Sequence, residues 1–559
     1  MKLNKEQYVA AHHKDGPMLV LAGPGSGKTH LLVERIRLMI EENHIPPDNI
    51  LVITFSKKAA RQMQARFQKR VEGRSYPVTF GTFHAVFYHI LKEYDPNIKR
   101  LITEEEQAAL VESLMEECDV FDNDVENDEV MGMISSYRNL SDDFFERDER
   151  GKRLDEDGRR QFLKLVEGYE GSLRKEGVLD FDDMILLCDS VLRKHESVLR
   201  KWQRRYRYFL VDEFQDINDM QYDVLRLLAG DLRNVFAVGD DDQSIYAFRG
   251  ARPELMKKFL RQYTGCRQVT LTMNYRCSEN VIGAADTLIR HNIDRLQRPM
   301  QRHLPSMPGG IVEVIHSENT DLQAAFVCDM IERLVTKEGF KQKDIAVLYR
   351  SAHCATMFKK IATGRGIALK TSEGINLDIR KRKIHEAYVR AKEKTAGRAD
   401  WFLIMNNPPR GLSREALCHP TGNYIGDLKK YYSDDEEKQR AVLDLERTVK
   451  EYDVNTYAID EGEKSDAVHV MTAHSSKGLE FKCVFILGLQ EGLFPHHQNL
   501  SGIYAEEERR LMYVAMTRAK ERLYMCTLGT RHGKRPSRFT AEIMEEKRYI
   551  SDTIDLIRI

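Results

Sequence analysis

Ala22-Gly23-Pro24-Gly25-Ser26-Gly27-Lys28-Thr29 follows directly on the apolar run Met18-Leu-Val-Leu21. A buried strand, a glycine loop and a helix, in that order, build a socket for a nucleoside triphosphate. The glycines let backbone N–H groups turn inward around phosphates. Lys28 is then expected to reach the β- and γ-phosphates, and the Thr29 hydroxyl to bind Mg²⁺. The helix predicted from Thr29 to Glu41 aims its positive end at the same anion. The strict pattern begins with Gly where Ala22 stands.

Outward from this loop, short apolar runs recur. Strands are predicted at Met18–Leu21, Ile50–Phe55, Tyr208–Val211, Asn234–Val238 and Arg267–Leu271. A second set falls at Ile311–Ile315, Asp344–Tyr349, His469–Thr472 and Val484–Leu487. Each is followed by polar chemistry or a helical segment, the signature of a parallel α/β sheet. Two α/β lobes are therefore expected, the second beginning near residue 270. Residues 90 to 190 show no strand pattern and read as a helical insertion. Within them, Thr103 to Val130 holds twelve acidic residues and no Lys or Arg, a solvated acidic face. A second, polar insertion spans residues 390–464, with one amphipathic helix from Gln439 to Tyr452.

The bulk numbers agree with a multidomain soluble protein. A chain of 559 residues exceeds one core. It is 42% hydrophobic and 31% charged, with a net charge of −1, so any surface for nucleic acid must be local. Nine scattered cysteines without a Cys-x-x-Cys pair argue against disulfides or zinc. No signal peptide and no membrane-spanning run is read, so a cytoplasmic location is expected.

The second decisive stretch is Phe209-Leu-Val-Asp212-Glu213-Phe-Gln215-Asp216. An apolar strand delivers adjacent carboxylates to its C-terminal tip, where α/β sheets bind ligands. Asp212 is suited to hold Mg²⁺ through water, and Glu213 to orient and deprotonate an attacking water.

With these two stretches in order, the chain resembles a superfamily 1 helicase of the UvrD/Rep/PcrA family. Leu3-Asn4-x-x-Gln7 resembles the family's Q motif, and Thr54-Phe-Ser-Lys-Lys-Ala-Ala60 its motif Ia. Gly81-Thr-Phe-His84-Ala resembles motif Ib, and Asp180-Phe-Asp-Asp183 the next short motif. Val238-Gly-Asp-Asp-Asp-Gln243-Ser-Ile-Tyr246-Ala-Phe248-Arg-Gly250 resembles motif III, and Asn274-Tyr275-Arg276 motif IV. Met471-Thr-Ala-His-Ser-Ser-Lys-Gly478-Leu-Glu480-Phe481 resembles motif V. Motif VI is resembled by the segment Glu506 to Arg518.

The resemblance implies two RecA-like P-loop lobes, each carrying a mainly helical insertion. Lobe 1A is expected at 1–89 and 190–268, insertion 1B at 90–189, lobe 2A at 269–389 and 465–535, a reduced insertion 2B at 390–464, and a tail at 536–559. It implies ATP and Mg²⁺ as ligands, with the loop from Ala22 to Thr29 cradling the phosphates. Gln7 would read the adenine edge and Tyr275 stack on the base. Gln243 would sense the γ-phosphate, Arg276 and Arg518 act as arginine fingers, and Glu480 contact the ribose or phosphate end. Fingers in the second lobe would require the lobes to close on ATP. Phe55, His84, Tyr246 and Phe248 would line a channel for single-stranded DNA, through stacking and backbone contact. Residues 56–74 hold seven Lys or Arg and one acid, and Arg380-Lys-Arg-Lys383 is a second basic run.

The family pattern is broken in three places. His30 replaces an arginine, Phe248 a common tryptophan, and the stretch from Arg276 to Thr472 is short. A reduced 2B puts unwinding by a lone monomer in question, though not ATP-driven movement. The chain ends soon after Arg518, and no nuclease domain is expected. The expected activity is 3′→5′ translocation on single-stranded or tailed duplex DNA. The alternative is a nucleotide-gated DNA-binding subunit with a protein partner such as a nuclease. No membrane partner is expected, and RNA is the minor alternative substrate.

Overall fold

Alternation within the apolar runs sorts their side chains onto two sheet faces. In the computed structural model, β1 (Met18–Ala22), β2 (Ile50–Thr54), β3 (Thr79–Thr82), β4 (Tyr208–Val211), β5 (Val235–Gly239) and β6 (Arg267–Leu271) form one sheet. Their order is β3-β2-β4-β5-β1-β6, and every pairing is parallel. Leu19 and Leu21 pack on one face with Leu51 and Ile53. Met18, Val20 and Ala22 pack on the other, with Ile50 and Val52. Strands buried on both faces need a helix on each side. Here α1 (Lys5–Ala11), α2 (Lys28–Glu41) and α3 (Lys57–Arg70) lie among the covering helices, and α4 (Phe83–Tyr94) covers the opposite face.

A short parallel pair, β7 (Met273–Asn274) and β8 (Gln301–Arg302), follows the first sheet. The second lobe contains β9 (Ile311–Ser317), β10 (Ile345–Tyr349), β11 (Leu369–Thr371), β12 (Val468–Thr472), β13 (Phe481–Leu489), β14 (Ala519–Leu528) and β15 (Asp552–Leu556). These form a parallel sheet in the order β11-β12-β10-β13-β14-β9-β15. Ala346 and Leu348 pack on one face, Ile345 and Val347 on the other. The structure describes all residues except 1, 97–99, 119–126, 141–142, 153, 248–249, 294, 297–300, 303–308, 372–383, 386, 409, 418–420, 453–465, 530–534 and 557–559. Phe248, the basic run at 380–383 and part of the acidic stretch lie outside the described residues.

The two insertions have cores of their own. The first is built on Val111, Val130, Phe162, Leu165 and Tyr169, within residues 102–178. Its flanking helices belong elsewhere: α4 and the helix Phe181–Lys194 bury Phe87, Ile90, Met184 and Cys188 in the first lobe. The second insertion centres on Trp401, Ile404, Leu428, Val442 and Leu445. Its helix Glu436–Glu451 lies close to the predicted 439–452. The segment expected as a tail is structural: the helix Arg538–Met544 buries Phe539 and Ile543 in the second lobe, and β15 pairs with β9.

The lobes exchange apolar residues. Ile245, which follows β5 of the first lobe, is fully buried in the second lobe's core. Leu296 of the second lobe packs against the first lobe's core. Among the described residues, no helix is long and apolar enough to cross a membrane.

Candidate nucleotide site and aromatic edge at the lobe interface

β1 ends at Ala22, which is fully buried as a strand residue. That role tolerates a methyl group, so the departure from glycine there costs nothing in the loop itself. The turn comes later, at Gly25 (φ +66°) and Gly27 (φ +85°). Only glycine adopts such angles freely. Both are also crowded: a Cβ on Gly25 would lie 2.6 Å from the Cβ of Arg276, and one on Gly27 2.7 Å from Nε2 of Gln7. The loop therefore has the bare backbone that a phosphate cradle needs. Pro24 lies within it, and Ser26 Oγ donates to the Gly23 carbonyl at 2.7 Å.

The loop is gripped from two sides. Gln7, on α1, donates from Nε2 to the Ser26 carbonyl at 2.9 Å. Asn4 caps the same helix, and its Nδ2 donates to Tyr275 Oη at 2.8 Å. From the second lobe side, Asn274 Nδ2 donates to the Pro24 carbonyl at 2.7 Å and Tyr275 N–H to the Gly25 carbonyl at 2.8 Å. Asn274 and Asn4 were not singled out as site residues from sequence, although both stand in quoted motifs.

Lys28 opens α2 and meets Glu213 Oε2 at 3.3 Å. Thr29 follows it on the same turn. Glu213 has φ +52°, a sparsely populated backbone for a residue with a side chain. Its carboxylate also accepts from Gln215 Nε2 at 2.6 Å, and its N–H donates to Asp212 Oδ1 at 3.0 Å. Burial, then the adjacent Glu213, pushes the Asp212 carboxyl up from its ordinary range. Burial acts on Glu213 the same way, but Lys28 and then Lys477 outweigh it and hold that carboxyl low. Burial pushes Asp216 up to about 6, against the pull of Lys477. A divalent cation beside Asp212 fits this set, because it would stabilise the carboxylate that burial disfavours.

The arginines expected as fingers differ in their setting. Arg276 lies against Gly25, and its Nε donates to Glu480 Oε2 at 2.9 Å. Glu480 also meets Lys520 at 2.6 Å, so here its partners are cations of its own lobe. Arg518 is 1% exposed, and its guanidinium donates to the Val514 and Leu479 carbonyls at 2.9 and 3.2 Å. Burial first, and Arg276 next, bring it down to about 9. Among the described residues no carboxylate bonds it, so an incoming anion would offset the cost of burying its charge.

Gln243 is buried beside Asp240, to which its Nε2 donates. Beyond it, Tyr246 stacks on Phe55 with centroids 4.9 Å apart and planes 9° from parallel. Phe55 immediately follows β2 and is 41% exposed. His84, in the first turn of α4, meets the exposed ring of Phe181 edge-on at 5.0 Å. Burial takes its imidazole down to about 4. Lys477, which sequence reading quoted but passed over, enters this region from the second lobe. Asp242 takes a second cation across the interface, with Arg295 Nη2 at 2.7 Å.

The UvrD/REP helicase N-terminal domain matches residues 3–264. The UvrD-like helicase C-terminal domain matches residues 269–418 and 424–529. The chain belongs to the UvrD/Rep helicase family. This UvrD/Rep helicase is 28% identical to the ATP-dependent DNA helicase PcrA of Staphylococcus epidermidis, covering 97% of the chain and 86% of that relative. It is 28% identical to the ATP-dependent DNA helicase Rep of Buchnera aphidicola, covering 98% and 99%. The matched lengths of 636 and 643 positions exceed 559, so both relatives carry residues that this helicase lacks. The family match accounts for the two parallel-sheet lobes expected from the sequence.

Proposed function

We propose that this helicase uses ATP to move 3′→5′ along single-stranded DNA and to part the strands of a tailed duplex. One observation carries the reading. The P-loop of the first lobe is bonded directly by Asn274 and Tyr275 at the start of the second, and the Phe55–Tyr246 stack lies on the same interface. A triphosphate at one end and a base at the other then bias a single closure. The polarity follows the family resemblance.

Lys28 exchanges Glu213 for the β- and γ-phosphates. Glu213, so released, orients and deprotonates the attacking water. Thr29 and Asp212 would hold Mg²⁺, which when bound neutralises charge on the phosphate oxygens. Arg276 and Arg518 face the transferring phosphoryl group, and Gln243 reads its presence. Gln7 and Tyr275 hold the adenine, while Glu480 steadies Arg276. Phe55, His84 and Tyr246 engage the strand.

Lys28→Ala is expected to lower kcat for ATP by about a hundredfold or more, while the protein still binds an oligo(dT). Hydrolysis at the wild-type rate by Lys28→Ala would end the assignment. Wild-type protein should release the strand of a 3′-tailed duplex and not that of a 5′-tailed one; the reverse result overturns the polarity. ATPase stimulated by oligo(dT) without strand release supports the accessory-subunit reading, which the missing length relative to PcrA and Rep favours. Equal stimulation by an RNA oligomer would widen the substrate to RNA.

A further inference from the structure

About two turns of α2 separate Lys28 from Arg35. Lys28 opens the helix at the P-loop. Arg35 lies in its middle, 2% exposed, with its guanidinium carbon 4.2 Å from the centre of the Phe236 ring on β5. Among the described residues no carboxylate bonds it. Its Nη1 instead donates to three carbonyls: those of Ala10 and Ala11, each at 3.4 Å, and that of His13. These carbonyls stand at the C-terminal end of α1, the helix that carries Gln7.

A charge in this place is expensive. Burial brings the Arg35 guanidinium down to about 9, against the pull of Tyr208 and Asp15. An apolar side chain would pack on Phe236 without that desolvation. What the guanidinium adds is a set of donors that fixes the end of α1. A seven-residue helix does not hold itself in water, and its last carbonyls have no partner inside the helix. A cation there also meets the negative end of the helix. Gln7 lies one turn before Ala11, and its Nε2 donates to the Ser26 carbonyl at 2.9 Å. The same nitrogen lies so close to Gly27 that a Cβ there would be 2.7 Å away. A slide of α1 by about 1 Å would therefore break the bond to the P-loop or drive Gln7 into it.

We propose that Arg35 is a positioning residue for base recognition: by tying the C-terminal end of α1 to α2, it sets where Gln7 meets the adenine relative to the phosphates held at Lys28. This rests on the function proposed above, in which Gln7 holds the adenine. One helix then fixes both ends of the nucleotide, the phosphates directly and the base through α1. Without Arg35, buried carbonyls lose a donor and α1 is free to shift. The P-loop keeps its shape, because its own glycines and the bond from Asn274 set it.

The test uses the purified full chain and measures two competitive inhibition constants against ATP turnover: one for ADP, one for inorganic tripolyphosphate, which has phosphates and no base. Wild type is compared with Arg35→Met, Arg35→Lys, Gln7→Ala and the Arg35→Met/Gln7→Ala double variant. In Arg35→Met the ADP constant is expected to rise about two- to tenfold, as for one lost hydrogen bond, while the tripolyphosphate constant stays near that of wild type. Arg35→Lys keeps charge and donors but not the planar fork. It should show the same split at smaller size, and it carries the test where Arg35→Met does not fold. The double variant should match Gln7→Ala, because Arg35 acts through Gln7. Equal rises for the two inhibitors, which a general loosening of the fold would give, overturn the proposal. So does an unchanged ADP constant in both Arg35 variants, or an added loss in the double variant. An ADP constant unmoved in Gln7→Ala would instead remove the adenine role of Gln7 from the function proposed above, so the two failures are distinguishable.

Discussion

The lobe interface is built differently at its two ends. At the nucleotide end the contacts are single hydrogen bonds, two of them to P-loop carbonyls: Asn274 to Pro24, Tyr275 to Gly25, Asn4 to Tyr275. At the aromatic end an apolar plug and buried charges hold the lobes. Ile245 is fully enclosed in the second lobe, and Asp242 and Asp216 take Arg295 and Lys477 from it. Hydrogen bonds of the first kind are each worth about 0.5–1.5 kcal/mol net. The second kind combines an apolar residue moved fully out of water with charges whose separation is expensive. Opening should therefore start at the nucleotide end and pivot about the aromatic end. Under the proposed function, nucleotide would exchange at the loose end while the strand contacts keep their alignment at the other.

The largest expected effect tests the pivot. Ile245→Ala removes the plug and should cost about 2–5 kcal/mol of unfolding free energy, read from urea or thermal unfolding. A loss below about 1 kcal/mol would break the comparison by showing that the second lobe closes over the gap. A smaller effect tests the jaw. Asn4→Ser keeps a good helix cap, yet its side chain is too short to reach Tyr275. The ATP concentration for half-maximal turnover should rise about two- to tenfold, in step with one lost hydrogen bond, with little change in melting temperature. A melting loss equal to that of Ile245→Ala would mean both ends carry the same load.

The same asymmetry governs what was legible beforehand. The central strands were readable because each is buried on both faces and so is apolar throughout, as in Ile50-Leu-Val-Ile53. The strands that escaped are different in kind. β15 is an edge strand reading Asp-Thr-Ile-Asp-Leu, and β11 is a three-residue edge. β3 carries Gly81 in its middle. β14 begins Ala519-Lys-Glu-Arg522, a charged half that masks the buried half from Leu523 to Cys526. The end of α4 and most of the helix Phe181–Lys194 fell within the expected insertion, 90–189, because helix period says nothing about which core a face enters. In the site, P-loop and carboxylate residues were visible because chemistry confines their order. Lys477 and Asn4 were not, because a lysine after two serines and a capping asparagine carry no local signal of a partner in the other lobe.

The smallest effect is a titration within the first lobe. His84 lies in the first turn of α4 against Phe181, and no carboxylate appears among the groups that shift it. Burial alone holds its folded-state pKa at about 4, below the 6.5 of the unfolded chain. Between those values the unfolded chain binds a proton that the folded one refuses, so acid favours unfolding. The contribution is absent above pH 6.5, grows as the pH falls, and levels off below about 4. His84→Gln keeps a polar side chain of similar reach and removes the titration. The urea midpoint of the wild type should therefore drop further between pH 7 and pH 5 than that of His84→Gln. Parallel drops in the two proteins would mean that His84 is solvated when folded. The ring would then be free to carry charge beside Phe181, and the start of α4 would be wetter than its packing in the first lobe implies.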